Sequence, residues 1–303
     1  MLNPILAFSA TRRMRSFRTI LIVIACMVAM MALALVVLSP LLSERILLNS
    51  LGRSPAAYLC LVAIQFVMLI LIAPAMTSGA IAGERERQTL DLLLVTNTGS
   101  FRIMIGKALE GFAVLALIIV CGLPVMSLCL LTGGVTLGQI LIGELFLLAE
   151  AFACVSVGVF CSSMVRSTVA SIVMSYLFLI LIGVVTALPF VFGYPQKITD
   201  VVYDHAKYGA LTAAGARGMI PPLMYLNPGF GLMSLVQGQL HAFTDMAGRL
   251  GWGRIYATWL MADRAGWIFI ALVCAGGMLI ISLVLLGIAS LLIRRGNKTI
   301  KNG

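Results

Sequence analysis

The chain has 303 residues, 61% of them hydrophobic and only 11% charged, with a mean hydropathy of +1.08. Soluble domains are usually about half apolar and about a quarter charged, so this composition excludes an ordinary soluble protein and indicates a polytopic membrane protein. A net charge of +10 would suit nucleic acid, but the basic residues cluster beside apolar runs, where topology accounts for them, and no nucleic-acid partner is expected.

The N-terminus opens with Asn3-Pro4, a good helix start, and continues through Arg12, Arg13, Arg15 and Arg18. Ile5, Leu6, Phe8, Met14 and Phe17 set against those arginines predict an interfacial helix over 1–18. A basic flank that merely orients the first span fits the same residues. Six apolar runs follow, at 19–42, 56–82, 103–132, 139–164, 168–192 and 267–293. Each is long enough to cross a hydrocarbon core of ~30 Å. The first is too long for a signal peptide and lacks a small-residue cleavage site. All seven cysteines lie inside these runs, where small buried hydrophobes explain them better than disulfides or metal ligands.

Six passages put both termini, the 84–107 connection and the Arg166 loop on one side, with thirteen Lys and Arg residues in all. The short loops opposite carry only Arg45 and Arg53. The remaining six basic residues lie in a 74-residue connection, too long to weigh in the positive-inside rule. Both termini are therefore expected in the cytoplasm, in the inner (plasma) membrane. The long connection, 193–266, holds or borders all three tryptophans and carries five of the seven tyrosines, an aromatic density typical of the headgroup level. Asn227-Pro228 marks a further helix start, with Phe230, Met233, Val236 and Leu240 on one apolar face. Short helices in or near the outer leaflet fit this segment better than a separate folded domain.

Chemistry-bearing residues are few. Gly106-Lys107 resembles the end of a phosphate-binding loop, but Phe101 and Ala108 stand where that loop needs Gly and Ser or Thr. His205 and His241 sit in no metal-spaced cluster, and no nucleophile elbow is present, so neither metal nor enzymatic activity is expected. Three acids fall in or beside the spans. Glu110 lies within reach of Lys107 or water, and Glu144 near the outer end of the fourth span is expected to reach water. Glu150 falls close to the midplane, where an ionisable group is costly and marks a functional hypothesis. It is either a protonated acid bonded across helices, with Gln65 of the second span as partner, or part of a substrate path.

The densest run of charge in the membrane-rich part of the chain is Gly83-Glu84-Arg85-Glu86-Arg87-Gln88-Thr89-Leu90-Asp91-Leu92-Leu93-Leu94. Lying between two membrane-length runs, it belongs at a membrane face. Arg87 with Asp91, and Glu84 with Arg87 and Gln88, have helical pairing distances. Leu90, Leu93 and Leu94 fall on one helical face that needs covering, by a partner or by lipid; spacing alone does not choose. Asn97, Gly99 and Ser100 then turn the chain back. Gly79-x-x-x-Gly83 offers a close helix approach just before the charges.

This stretch resembles the permease subunits of ABC-2-type transporters. Gly83, Glu84, Arg85, Glu86, Thr89, Leu90, Leu92, Leu93, Thr96, Gly106 and Lys107 match their pattern, with Asp91 standing for Glu. Gln88 stands where Gly is usual and Asn97 where Pro is usual. Asn3-Pro4, the 13–19 basic run and Tyr225-Leu226-Asn227-Pro228 are also similar to these permeases. The resemblance implies one transmembrane domain over 1–303: an all-α polytopic fold of six transmembrane helices, an N-terminal interfacial helix, a cytoplasmic coupling helix over 83–100, and short outer-leaflet helices between spans five and six. It implies that Glu84, Arg85, Glu86, Arg87, Thr89, Leu90, Asp91, Leu93 and Leu94 engage a separate cytoplasmic ABC ATPase. ATP and Mg would belong to that partner, with no cofactor in this chain. It implies two permeases per working unit, as homodimer or heterodimer in lipid, and export of a cargo such as a peptide, antibiotic, lipid-linked glycan or ion. An ATP-independent channel or secondary transporter is the alternative, with Glu150 and Gln65 as candidate substrate-path residues in either case.

Overall fold

The computed structural model describes residues 17–42, 54–89, 99–131, 135–191, 222–240 and 264–301. Among them every regular element is helical. In chain order these are α1 (Phe17–Leu42), α2 (Ser54–Thr77), α3 (Gly79–Glu86), α4 (Ser100–Leu131), α5 (Leu137–Met164) and α6 (Thr168–Val191). A short 3-10 turn (Pro222–Leu226), α7 (Pro228–Leu240) and α8 (Arg264–Lys301) follow. Among the described residues six passages are long and apolar enough to cross a membrane: α1, α2 together with α3, α4, α5, α6 and α8. The six-span expectation therefore holds. The N-terminal interfacial segment, His205, His241 and most of 193–266 lie outside the described residues.

The centre of the bundle is α5, which packs against α2, α3, α4, α6, α7 and α8. Its buried positions include Ala151, Ala153, Cys154, Ser156, Gly158, Cys161, Ser162 and Ser163. Helices in lipid associate through close packing, and small residues let neighbouring backbones approach. Hence 67% of the α5 span is buried inside the chain, against 11% of α6. The outward faces of α1 and α6 expose Leu35, Val36, Val169, Leu177 and Ile180, an apolar surface for lipid or another chain. Cys60 is exposed on α2, an exception to the expectation that every thiol is buried.

Local sequence explains the helix ends. Thr136 and Gln139 form a capping box at the start of α5: the Gln139 N–H donates to Thr136 Oγ1, and the Thr136 N–H donates to Gln139 Oε1 at 2.7 Å. Asn227 starts α7 as expected, its Oδ1 accepting the Phe230 N–H at 3.0 Å. The buried face of α7 runs through Gly231, Leu232, Leu235 and Val236; of the expected stripe Val236 is buried, whereas Phe230 and Met233 are only half-buried. The helix is covered by both α5 and α8, which shifts its buried arc.

The second span is broken. Pro74 supplies no N–H to the helix, and the Ser78 N–H and Oγ–H both donate to the Pro74 carbonyl, at 3.0 and 2.6 Å. The Tyr176 hydroxyl of α6 donates to the Leu71 carbonyl, beside the proline. After Ser78 the chain restarts as α3, whose Ile81 and Ala82 N–H groups both donate to Ser162 Oγ of α5 at 2.9 Å. A side chain of another helix thus caps α3. Beside the break, Thr77 sits between Gly111 of α4 and Gly158 of α5, and a Cβ at either glycine would collide with its side chain.

Candidate functional site: the charged end of the second span

Gly79 and Gly83 face Thr168 at the start of α6, where a Cβ on Gly79 would come within 3.3 Å of the threonine. The small-residue spacing read from sequence therefore seats the charged end of α3 against α6. Three consecutive charged residues then reach three different spans.

Glu84 Oε1 pairs with Lys107 Nζ of α4 at 2.6 Å, and Lys107 also approaches Glu110 at 3.8 Å. Gly106 and Lys107 lie inside α4, not on a phosphate-binding loop. Arg85 turns to the C-terminal end of α5, donating to the carbonyls of Val165 at 3.2 Å and Ser163 at 3.3 Å. Glu86 turns to the N-terminal end of α6, accepting from the Thr168 N–H at 2.9 Å and its Oγ–H at 2.7 Å. Both placements suit the helix dipole, which favours a cation at a C-terminus and an anion at an N-terminus.

The expected pairing of Glu84 with Arg87 and Gln88 is replaced by the bond to Lys107, because the helix does not continue. It ends at Glu86, with Arg87 as its cap. The Thr89 N–H donates to the Glu84 carbonyl at 2.9 Å and the Gln88 N–H to the Arg85 carbonyl at 3.2 Å, the paired bonds of a Schellman ending. Thr89 Oγ1 also donates to the Glu84 carbonyl at 3.2 Å. Gln88 carries the positive φ, 59°, that such an ending requires. Arg87, Gln88 and Thr89 are exposed. Leu90, Asp91, Leu93 and Leu94 lie outside the described residues.

Sequence reasoning missed the receiving groups, Ser162, Ser163, Val165 and Thr168, some eighty positions from their partners. Two signals were available: a Ser-Ser pair inside an apolar span, and Ser167-Thr168 immediately before the next one, a helix start.

The deeper candidates do not come together as expected. Gln65 Nε2 donates to Glu144 Oε2 at 2.9 Å, not to Glu150. Glu144 is buried and has this partner instead of reaching water. Six residues separate the two acids on α5, about 9 Å along the axis and about 240° around it, so one glutamine cannot serve both. Glu150 is 2% exposed, and neither of its oxygens has a hydrogen-bond partner among the described residues. It lies close to Cys154 on its own helix and Cys274 on α8.

A family model described as ABC-2 family transporter protein matches residues 5–292. The chain belongs to that family. No curated protein sequence matches it. ABC-2 proteins of this kind are typically non-enzymatic membrane subunits that work with an ATPase partner. Six apolar helices and this membership make the chain a multi-pass membrane protein of transmembrane transport. In this ABC-2 protein Glu84, Arg85 and Glu86 tie α3 to three other spans.

Proposed function

We propose that this chain is the permease of an ATP-driven exporter, with a separate cytoplasmic ATPase docking on the segment that follows Glu86. The observation that carries this reading is the joint at 83–86: a short charged helix bonded to the facing ends of α4, α5 and α6. A push on the chain beyond Glu86 would reach three spans at once, which is what a separate motor needs. Both termini and this joint then face the cytoplasm, as the distribution of Lys and Arg favours. ATP and Mg belong to the ATPase. The exposed apolar faces of α1 and α6 offer room for lipid and for a second permease copy. Glu150 and Gln65 are the candidate substrate-path residues, Glu150 because a buried acid without a partner inside a span calls for a functional reason.

The alternative, an ATP-independent channel or secondary transporter, draws on that same acid and on the broken second span. Co-purification separates the two. The permease is expressed with a candidate soluble P-loop ATPase, and Leu90→Asp and Leu93→Asp serve as controls. The ATPase should co-purify with the wild type and be lost from both variants; equal recovery with all three would rule out docking on this segment. Glu150→Gln should lower transport while leaving assembly intact, and wild-type transport in that variant would remove Glu150 from the path.

A further inference from the structure

We propose that movement delivered to the segment after Glu86 is passed to the α5–α6 hairpin through Arg85, Glu86 and Ser162, and not along the axis of the second span. This rests on the docking reading above and adds the route. Arg85 and Glu86, which the family resemblance places among the ATPase contacts, become positioning residues that act through the hairpin.

Three observations carry it. First, the second span is not one rod. The chain restarts after Ser78, and two amides in the first turn of α3, those of Ile81 and Ala82, are held by Ser162 of α5. Ser78 Oγ also lies 3.0 Å from Ser175 Oγ of α6, so even the break is tied to the hairpin. Second, Arg85 and Glu86 straddle the connection between α5 and α6, which is only residues 165–167 long. Arg85 holds the Ser163 carbonyl before the connection and the Val165 carbonyl at its first residue, and Glu86 holds the first amide after it. Two charges on adjacent residues, each bonded to one side of so short a turn, fix the orientation of that turn relative to α3. Third, α5 is the most enclosed span, in contact with α2, α4, α7 and α8 as well. Displacement of its end must be answered across the bundle, because close-packed helices do not deform locally.

The test is hydrogen exchange read by mass spectrometry on the permease–ATPase complex, with and without a non-hydrolysable ATP analogue. In the wild type the analogue should change exchange both in 87–98 and in 165–170. In Arg85→Ala/Glu86→Ala the change in 165–170 should be lost while that in 87–98 persists; loss of the ATPase itself from this variant would make the two residues docking contacts and overturn the route. Glu86 is exposed, so its replacement leaves the core intact. Thr168→Val removes a receiving hydroxyl from the opposite side of the joint, and should weaken the change in 165–170 without touching the docking segment. A purely structural role would shift the exchange of the apo complex but not abolish the response to nucleotide. Persistence of the 165–170 response in the double variant, or its absence in a wild type whose 87–98 segment responds, overturns the route alone. A wild-type permease that retains no ATPase overturns the docking reading and the route with it.

Discussion

Two pairs of acids in this chain meet opposite circumstances. Glu84 and Glu86 stand at the end of the second span, and each finds a partner on another span: Lys107 for one, the start of α6 for the other. Glu144 and Glu150 stand inside α5, where Gln65 serves the first and nothing among the described residues serves the second. The difference shows where the fold spends polar groups on structure. At the span ends, orphan backbone groups and the helix dipole give a charge something to hold. Inside the span every backbone group is already used, so an acid depends on another polar side chain happening to face it. Glu150 has none among the described residues, and an unsatisfied buried group weakens a fold unless it serves some other purpose.

The largest expected effect comes from breaking the platform under the first pair. Gly158 leaves the space that Thr77 occupies beside the joint, and even a methyl group there collides with the threonine. Gly158→Leu should cost about 3 kcal/mol or more by overpacking, enough to remove folded protein from a detergent extract. Size-exclusion yield and thermal melting would measure it. A normally folded Gly158→Leu protein would mean that α2 and α5 are not in contact at this level.

The second pair can be contrasted directly. Glu144→Met leaves the Gln65 amide buried without its acceptor and should destabilise by about 1–2 kcal/mol. Glu150→Met replaces an unpartnered acid with an apolar chain of similar length and should stabilise by about 1 kcal/mol, at the expense of transport. Melting temperatures of the two variants should therefore move in opposite directions. A fall of equal size in both would show that Glu150 has a partner after all, and would dissolve the contrast.

The sequence reading reached the six spans because hydropathy is a local property. It also reached the start of α7, since Asn-Pro signals a helix within a few residues. It failed wherever the answer lay across the bundle. Glu84 was given helical neighbours as partners, but Lys107 lies on another helix, brought near by packing that no spacing rule encodes. Gln65 meets Glu144 and not Glu150 because rotation about α5, as well as depth in the membrane, decides which acid faces it. The buried arc of α7 keeps Val236 of the expected stripe but shifts from Phe230 and Met233 toward Leu232 and Leu235, because two helices cover it and sequence gives no count of neighbours.

The smallest expected effect sits at the exit of the joint. The family pattern has Gly where this chain has Gln88, and the structure gives the physical reason for that Gly. The position follows the cap of α3 and closes two backbone bonds only in the left-handed region, with φ at 59°. A side chain there costs about 1–2 kcal/mol relative to glycine, partly offset by glycine's greater freedom when unfolded. Gln88→Gly should therefore stabilise by a few tenths to about 1 kcal/mol, seen as a small rise in melting temperature. Gln88→Val, β-branched and ill suited to positive φ, should lower it. If both substitutions were neutral, the helix would not end at Gln88, and 83–94 would be the single continuous helix that its charge spacing suggests. The joint and the docking segment would then be one rigid piece, and the ending at Gln88 that divides Glu84, Arg85 and Glu86 from the residues beyond would be lost.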